Sequence, residues 1–163
     1  SPASALRTAL QAGFNNGSWN GNGITSIPAS ARTDRAFGYA EASAIGSPGS
    51  FFNETIDNTS LLMCYTISGD TNLDGKVNTV DFNNLAGAFG GTNQYWFNGD
   101  FNYDGQVSST DFNALAMNYG SFMIFAAPAP SPTALPNLGA IVPEPATLGW
   151  FALGAMVLRR RGR

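Results

Sequence analysis

The 163-residue chain contains no histidine. That absence removes Ser-His-Asp and Cys-His catalysis, and His-ligated zinc, in one step. Cysteine is nearly absent too. Cys64 stands alone, so no internal disulfide can form, and its flanks Leu62, Met63 and Tyr65 mark it as a buried small hydrophobe. Charged residues make up 12% of the chain, about half the usual quarter. No methionine or signal peptide stands at Ser1, so the chain is expected to be a mature or C-terminal piece of a longer protein.

What is present is apolar and turn-forming. Hydrophobic residues account for 44%, enough for a core, and Asn, Ser, Thr and Gly are abundant. The mix suits loop-rich, β-containing extracellular material. Charge is unevenly placed: Arg159, Arg160, Arg161 and Arg163 are four of the 8 basic residues. The rest of the chain is strongly acidic, and six acids are Asp70, Asp74, Asp81, Asp100, Asp104 and Asp111. Clustered aspartates suit cations and repel nucleic-acid phosphates.

Four regions are legible. Residues 1–67 read as the end of an upstream β-containing domain. Within it, Leu6, Leu10 and Phe14 form a stripe that predicts a helix over 3–14, ended by Asn15-Asn16-Gly17. Residues 61–67 are an apolar run between turn clusters and predict a strand. Residues 68–121 hold an internal repeat. Residues 122–140 are a Pro/Ala-rich linker, and 141–163 form a tail. Sequons at Asn16, Asn53 and Asn58 are common by chance in an Asn-rich chain, so they point to glycosylation only weakly.

A shift of thirty residues superposes Asp70-Thr-Asn72-Leu-Asp74-Gly75-Lys-Val77-Asn78 on Asp100-Phe-Asn102-Tyr-Asp104-Gly105-Gln-Val107-Ser108, and continues through Asp81/Asp111, Phe82/Phe112 and Leu85/Leu115. Each unit is a twelve-residue loop with oxygen side chains at positions 1, 3, 5, 9 and 12, and Gly at position 6. Calcium is a hard cation that takes six to eight oxygens, and such a loop can wrap one. The ligand set is therefore Asp70, Asn72, Asp74, Asn78 and Asp81, then Asp100, Asn102, Asp104, Ser108 and Asp111. Lys76 and Gln106, at position 7, contribute backbone carbonyls. Two calcium ions are expected. Val77 and Val107 are expected to pair the two loops. Helices are expected over 79–89 and 109–119, with Val80, Phe82, Leu85, Phe89, Phe112, Leu115 and Tyr119 as their shared core.

The pair resembles a type I dockerin, in which each calcium loop is followed by one helix and the last ligand is Asp. The resemblance covers residues 68–121. It implies a cohesin-like partner that meets loop positions 10 and 11, here Thr79, Val80, Ser109 and Thr110. Ser109-Thr110 follows the Ser-Thr preference of that family, whereas Thr79-Val80 departs from it.

The tail reads Val142-Pro143-Glu144-Pro145, then thirteen uncharged residues, then the arginine cluster. Thirteen helical residues span about 20 Å, short of a ~30 Å hydrocarbon core. The pattern resembles a PEP-CTERM sorting signal. The resemblance implies export, processing by an exosortase-type enzyme, and membrane contact through 146–158 before processing.

The fold class is expected to be α+β: a small β-containing segment, a mainly α loop–helix pair, a linker and a short hydrophobic C-terminal helix. The function expected is non-enzymatic: an exported cell-surface or matrix protein, EF-hand-like in its calcium loops, used for docking or as a structural clamp. The alternatives are the C-terminal part of a secreted glycan-active enzyme and a self-assembling filament subunit, in which residues 61–65 or an N-terminal segment would pair with a neighbouring copy of the chain. Asp34, Glu41, Glu54 and Asp57 are the acids of the N-terminal region, and no catalytic motif surrounds them.

Overall fold

A computed structural model describes residues 2–125. The expected linker beyond 125, the Val142–Pro145 motif, the apolar run and the arginine cluster lie outside the described residues. Those described belong to one compact unit that mixes helices with small antiparallel sheets, an α+β arrangement.

The chain opens with α1, Pro2–Phe14. Its stripe does what the spacing predicts: Leu10 is fully buried, and Leu6 and Phe14 pack against the core. Asn15 and Asn16 then turn the chain through left-handed conformations, which Asn tolerates better than most residues. A single turn, α2 (Ile27–Ser30), is capped by the Ser26 hydroxyl, which accepts from the Ala29 amide at 3.1 Å.

Strand β1, Arg35–Glu41, comes next. A small hairpin follows, β2 (Ser50–Phe51) with β3 (Glu54–Thr55). Strand β4, Leu61–Ile67, runs antiparallel to β1 with Phe37 opposite Tyr65. Cys64 is buried on β4, and burial pushes its thiol up to about 12, so it sits there as an inert hydrophobe.

The repeat supplies α3 (Thr79–Ala88) and α4 (Ser109–Asn118). Both start where the loops end, on a capping box. Asn78 and Ser108 are the N-caps, while Asp81 and Asp111 reach back to the N-cap amides.

The expected pairing of Val77 with Val107 is replaced by a reciprocal exchange. Val77 donates to the Ser121 carbonyl and accepts from the Gly120 amide, so loop 1 is tied to the segment after α4. Val107 does the same with Gly91 and Gly90, after α3. Each loop thus closes on the exit of the other helix.

The core also differs from expectation. Leu85 and Leu115 are buried, but Val80, Phe82, Phe89, Phe112 and Tyr119 are exposed. The interior is built instead on the opposite side of the loops. There Leu73, Trp96, Phe101 and Tyr103 pack with Tyr39 of β1 and Leu62 of β4. Gly38 permits this approach: a Cβ there would sit 2.5 Å from Leu73 Cδ2 and 2.8 Å from Trp96 Nε1. Residues on both sides of position 67 share one core.

Candidate calcium-binding loops

The two loops fold alike because their sequences do. Position 1, Asp70 or Asp100, is fully buried, and so in effect is position 12, Asp81 or Asp111. Asp74 and Asp104 at position 5 are exposed, and Asn72 and Asn102 at position 3 are half-buried. Gly75 and Gly105 lie at φ +79° and +83°, a region that a Cβ disfavours. The carboxylate of position 1 accepts from that glycine's amide, at 3.0 Å in loop 1 and 2.9 Å in loop 2. Position 5 holds the amide of position 7: Lys76 N–H meets Asp74 at 2.9 Å, and Gln106 N–H meets Asp104 at 2.8 Å.

Position 12 closes each loop onto its own start. Asp81 Oδ1 accepts from the Thr71 amide and hydroxyl, both at 2.8 Å, and Asp111 Oδ1 accepts from the Phe101 amide at 2.9 Å. Position 9 caps the helix: Asn78 Oδ1 accepts from the Val80 amide at 2.7 Å, and Ser108 Oγ from the Thr110 amide at 3.2 Å. The capping roles of positions 9 and 12 were readable from Asn-x-x-Asp and Ser-x-x-Asp, and went unread beside the ligand pattern.

Burial costs the carboxylates their hydration. It raises Asp70 and Asp100 to about 7, partly offset by hydrogen bonds from Thr66 and Gly75 to the first and from Gly105 to the second. Asp111 is raised for the same reason. Asp100 Oδ1 is buried with no hydrogen-bond partner, a cost that a cation would relieve.

Among the described residues no three acidic or thiol side chains form a ready-made metal cluster. Each loop instead combines carboxylates with amide or hydroxyl oxygen and a backbone carbonyl. That all-oxygen set fits a hard cation, and the orphaned Asp100 oxygen points the same way. Calcium would supply the charge that lets these buried aspartates stay ionised together.

The four residues expected at the partner surface, Thr79, Val80, Ser109 and Thr110, are all exposed in the first turns of α3 and α4. Thr79 and Tyr119 share a hydroxyl hydrogen bond of 2.8 Å, which joins the start of α3 to the end of α4. Sequence reading missed the apolar face beside them, where Phe82 and Phe112 meet edge to face at 6.5 Å. Their i, i+3 and i, i+7 companions signalled core, and burial decided otherwise.

Residues 68–118 match the dockerin type I domain. Domains of that type bind calcium through EF-hand-like loops. A solved structure described as a type II cohesin-dockerin domain from Bacteroides cellolosolvens is similar over 36% of this chain and 92% of its own, at 34% identity and a TM-score of 0.32. No curated protein matches the chain. The dockerin-like segment is thus about a third of the sequence, and residues 2–67 pack on it from outside that match.

Proposed function

We propose that this chain is an exported, non-enzymatic surface protein whose dockerin-like segment, holding two calcium ions, docks a cohesin-like partner on the exposed faces of α3 and α4. One observation carries this reading. The loop side of the segment is covered by β1 and α1, while Val80, Phe82, Phe89 and Phe112 stay 39–55% exposed on the helix side. An apolar patch beside polar first-turn residues is the kind of surface that recognition uses.

The covered side is held firmly. The Tyr103 hydroxyl donates to the Phe37 carbonyl at 2.9 Å and accepts from its amide at 3.1 Å. Arg7 donates to the Gln94 carbonyl at 2.7 Å and lies over the Tyr95 ring. Docking therefore falls to the helices. Asp34 is paired with Arg32, and Asp57 with Thr59 and Ser60, which favours a structural role for these acids over a catalytic one. Among the described residues no helix is long and apolar enough to cross a membrane. The export and anchoring part of the proposal rests on the tail sequence, from Val142-Pro-Glu-Pro145 to the arginine cluster.

Binding of purified cohesin modules to the calcium-loaded chain tests the reading. Phe82→Glu with Phe112→Glu should weaken capture by at least a hundredfold while the melting temperature holds. Undiminished capture, or capture of no cohesin by the parent chain, would overturn it.

A further inference from the structure

The sheet of β1 and β4 has two edges, and they are finished differently. The edge along β1 is plugged, because the Tyr103 hydroxyl meets both the amide and the carbonyl of Phe37. The edge along β4 has no strand beside it among the described residues. Its backbone phase follows from the ladder. Directly opposite residues of an antiparallel pair either bond to each other or both point away. Phe37 points to Tyr103, so Tyr65 opposite it points away from β1. Met63 opposite Tyr39 and Leu61 opposite Glu41 share that phase. Bonds from the Ala42 amide to the Ser60 carbonyl and from the Ser68 amide to the Asp34 carbonyl fix it at both ends. Leu61, Met63 and Tyr65 thus turn their amides and carbonyls outward, and no hydrogen bond joins these groups to another described segment.

Nothing on β4 guards this edge. Leu61–Ile67 holds no charged residue and no proline, and its register with β1 runs without a bulge. Those are the devices by which edge strands avoid pairing. Leu61 and Met63 are 36% and 41% exposed, and Tyr65 is half-buried. An open row of backbone donors and acceptors fits an extended strand. The sequence of β4 suits its own copy. Antiparallel pairing about a two-fold axis at Met63 sets Met63 on Met63, Leu61 on Tyr65 and Tyr65 on Leu61. Each of these pairs exchanges two bonds, so every outward group finds a partner. The side chains that meet are apolar or aromatic, with no like charges to repel.

We infer that a second copy of this chain pairs along β4, joining two two-stranded sheets into one of four strands. Two strands alone make a marginal sheet, whereas more strands with an apolar face are stable. The interface is small, so it assembles at micromolar chain concentrations and above. Leu61, Met63 and Tyr65 belong neither to the calcium loops nor to the docking face of α3 and α4, so pairing and docking can fail separately.

The test is amide hydrogen exchange, read residue by residue on the full chain in excess calcium from about 10 µM to about 1 mM, alongside sedimentation. The amides of Leu62, Cys64 and Thr66 face β1 and should be protected throughout. Those of Leu61, Met63 and Tyr65 should exchange freely in dilute chain and gain at least tenfold protection as dimer forms. Met63→Glu and Met63→Lys should each weaken dimerisation at least tenfold, by setting like charges face to face, and leave the melting of dilute chain unchanged. Mixing the two variants should restore a dimer. A monomer at every concentration would overturn the proposal. So would concentration-independent protection of the three outward amides, the result expected if residues 126–163 of the same chain covered the edge. A dimer indifferent to both substitutions, or variants that mixing leaves monomeric, would overturn it too. If neither variant folds, the three amides of the parent chain decide the matter.

Discussion

The two calcium loops are near copies in sequence, yet their buried aspartates live differently. In loop 1 the carboxylate of Asp70 accepts from the Thr66 hydroxyl and from the amides of Asp74 and Gly75. In loop 2 Asp100 accepts from the Gly105 amide, and its second oxygen is left bare. The difference lies four residues before each loop. Thr66, in β4, has a hydroxyl to give. Its counterpart under the thirty-residue shift is Trp96, whose indole N–H crosses to the Asp70 carbonyl at 2.6 Å instead. Both approaches thus serve loop 1, and loop 2, with a bare carboxylate oxygen, has more to gain from a cation. A repeat that looks symmetric by its ligands is made unequal by what leads into it.

Position 4 gives the largest way to break the comparison. Leu73 and Tyr103 both sit at left-handed φ and are buried, but Tyr103 also holds β1 through two hydrogen bonds. Tyr103→Ala should cost about 4 kcal/mol and Leu73→Ala about 3 kcal/mol, read by denaturant unfolding in calcium. An equal or reversed order would deny that loop 2 anchors the sheet.

Thr66→Val removes the hydroxyl that distinguishes the loops. It should destabilise the chelated protein by about 2 kcal/mol, as expected for a hydrogen bond to a buried charged group. Proton linkage should move stability by a similar amount per group. Asp70 and Asp100 lie near 7 in the folded chain against 3.8 for the ordinary group, so between these values the folded state binds more protons than the unfolded. Without calcium, stability must therefore fall as pH rises, by on the order of 2 kcal/mol for each of the two groups from pH 5.5 to 7.5. With calcium the trend should reverse, because protons then compete with the ion. Melting curves at the two pH values check both signs. Trp96→Phe, which gives up one N–H donor to Asp70, should cost about 1 kcal/mol.

Much of this architecture was legible in the residues, for identifiable reasons. The strand over 61–67 is an apolar run flanked by turn formers, and β4 occupies those same residues. The helices after each loop began where expected because Asn78 and Ser108 are natural caps. The core was misjudged because apolar residues on α3 and α4 have two possible fates, an interior or an interface, and spacing alone does not choose. The choice was made by Gly38, Trp96 and Tyr103, which bring the upstream strand onto the loops. Nothing local in the repeat announces that contact.

Calcium titration of the chelator-stripped full chain by calorimetry tests the central claim most directly. Two ions per chain are predicted, with Asp70→Ala removing one and Asp100→Ala the other, and melting should rise on loading by roughly 20 °C if each site contributes near 2.7 kcal/mol. Fewer than two ions, or melting that calcium leaves unchanged, would contradict it.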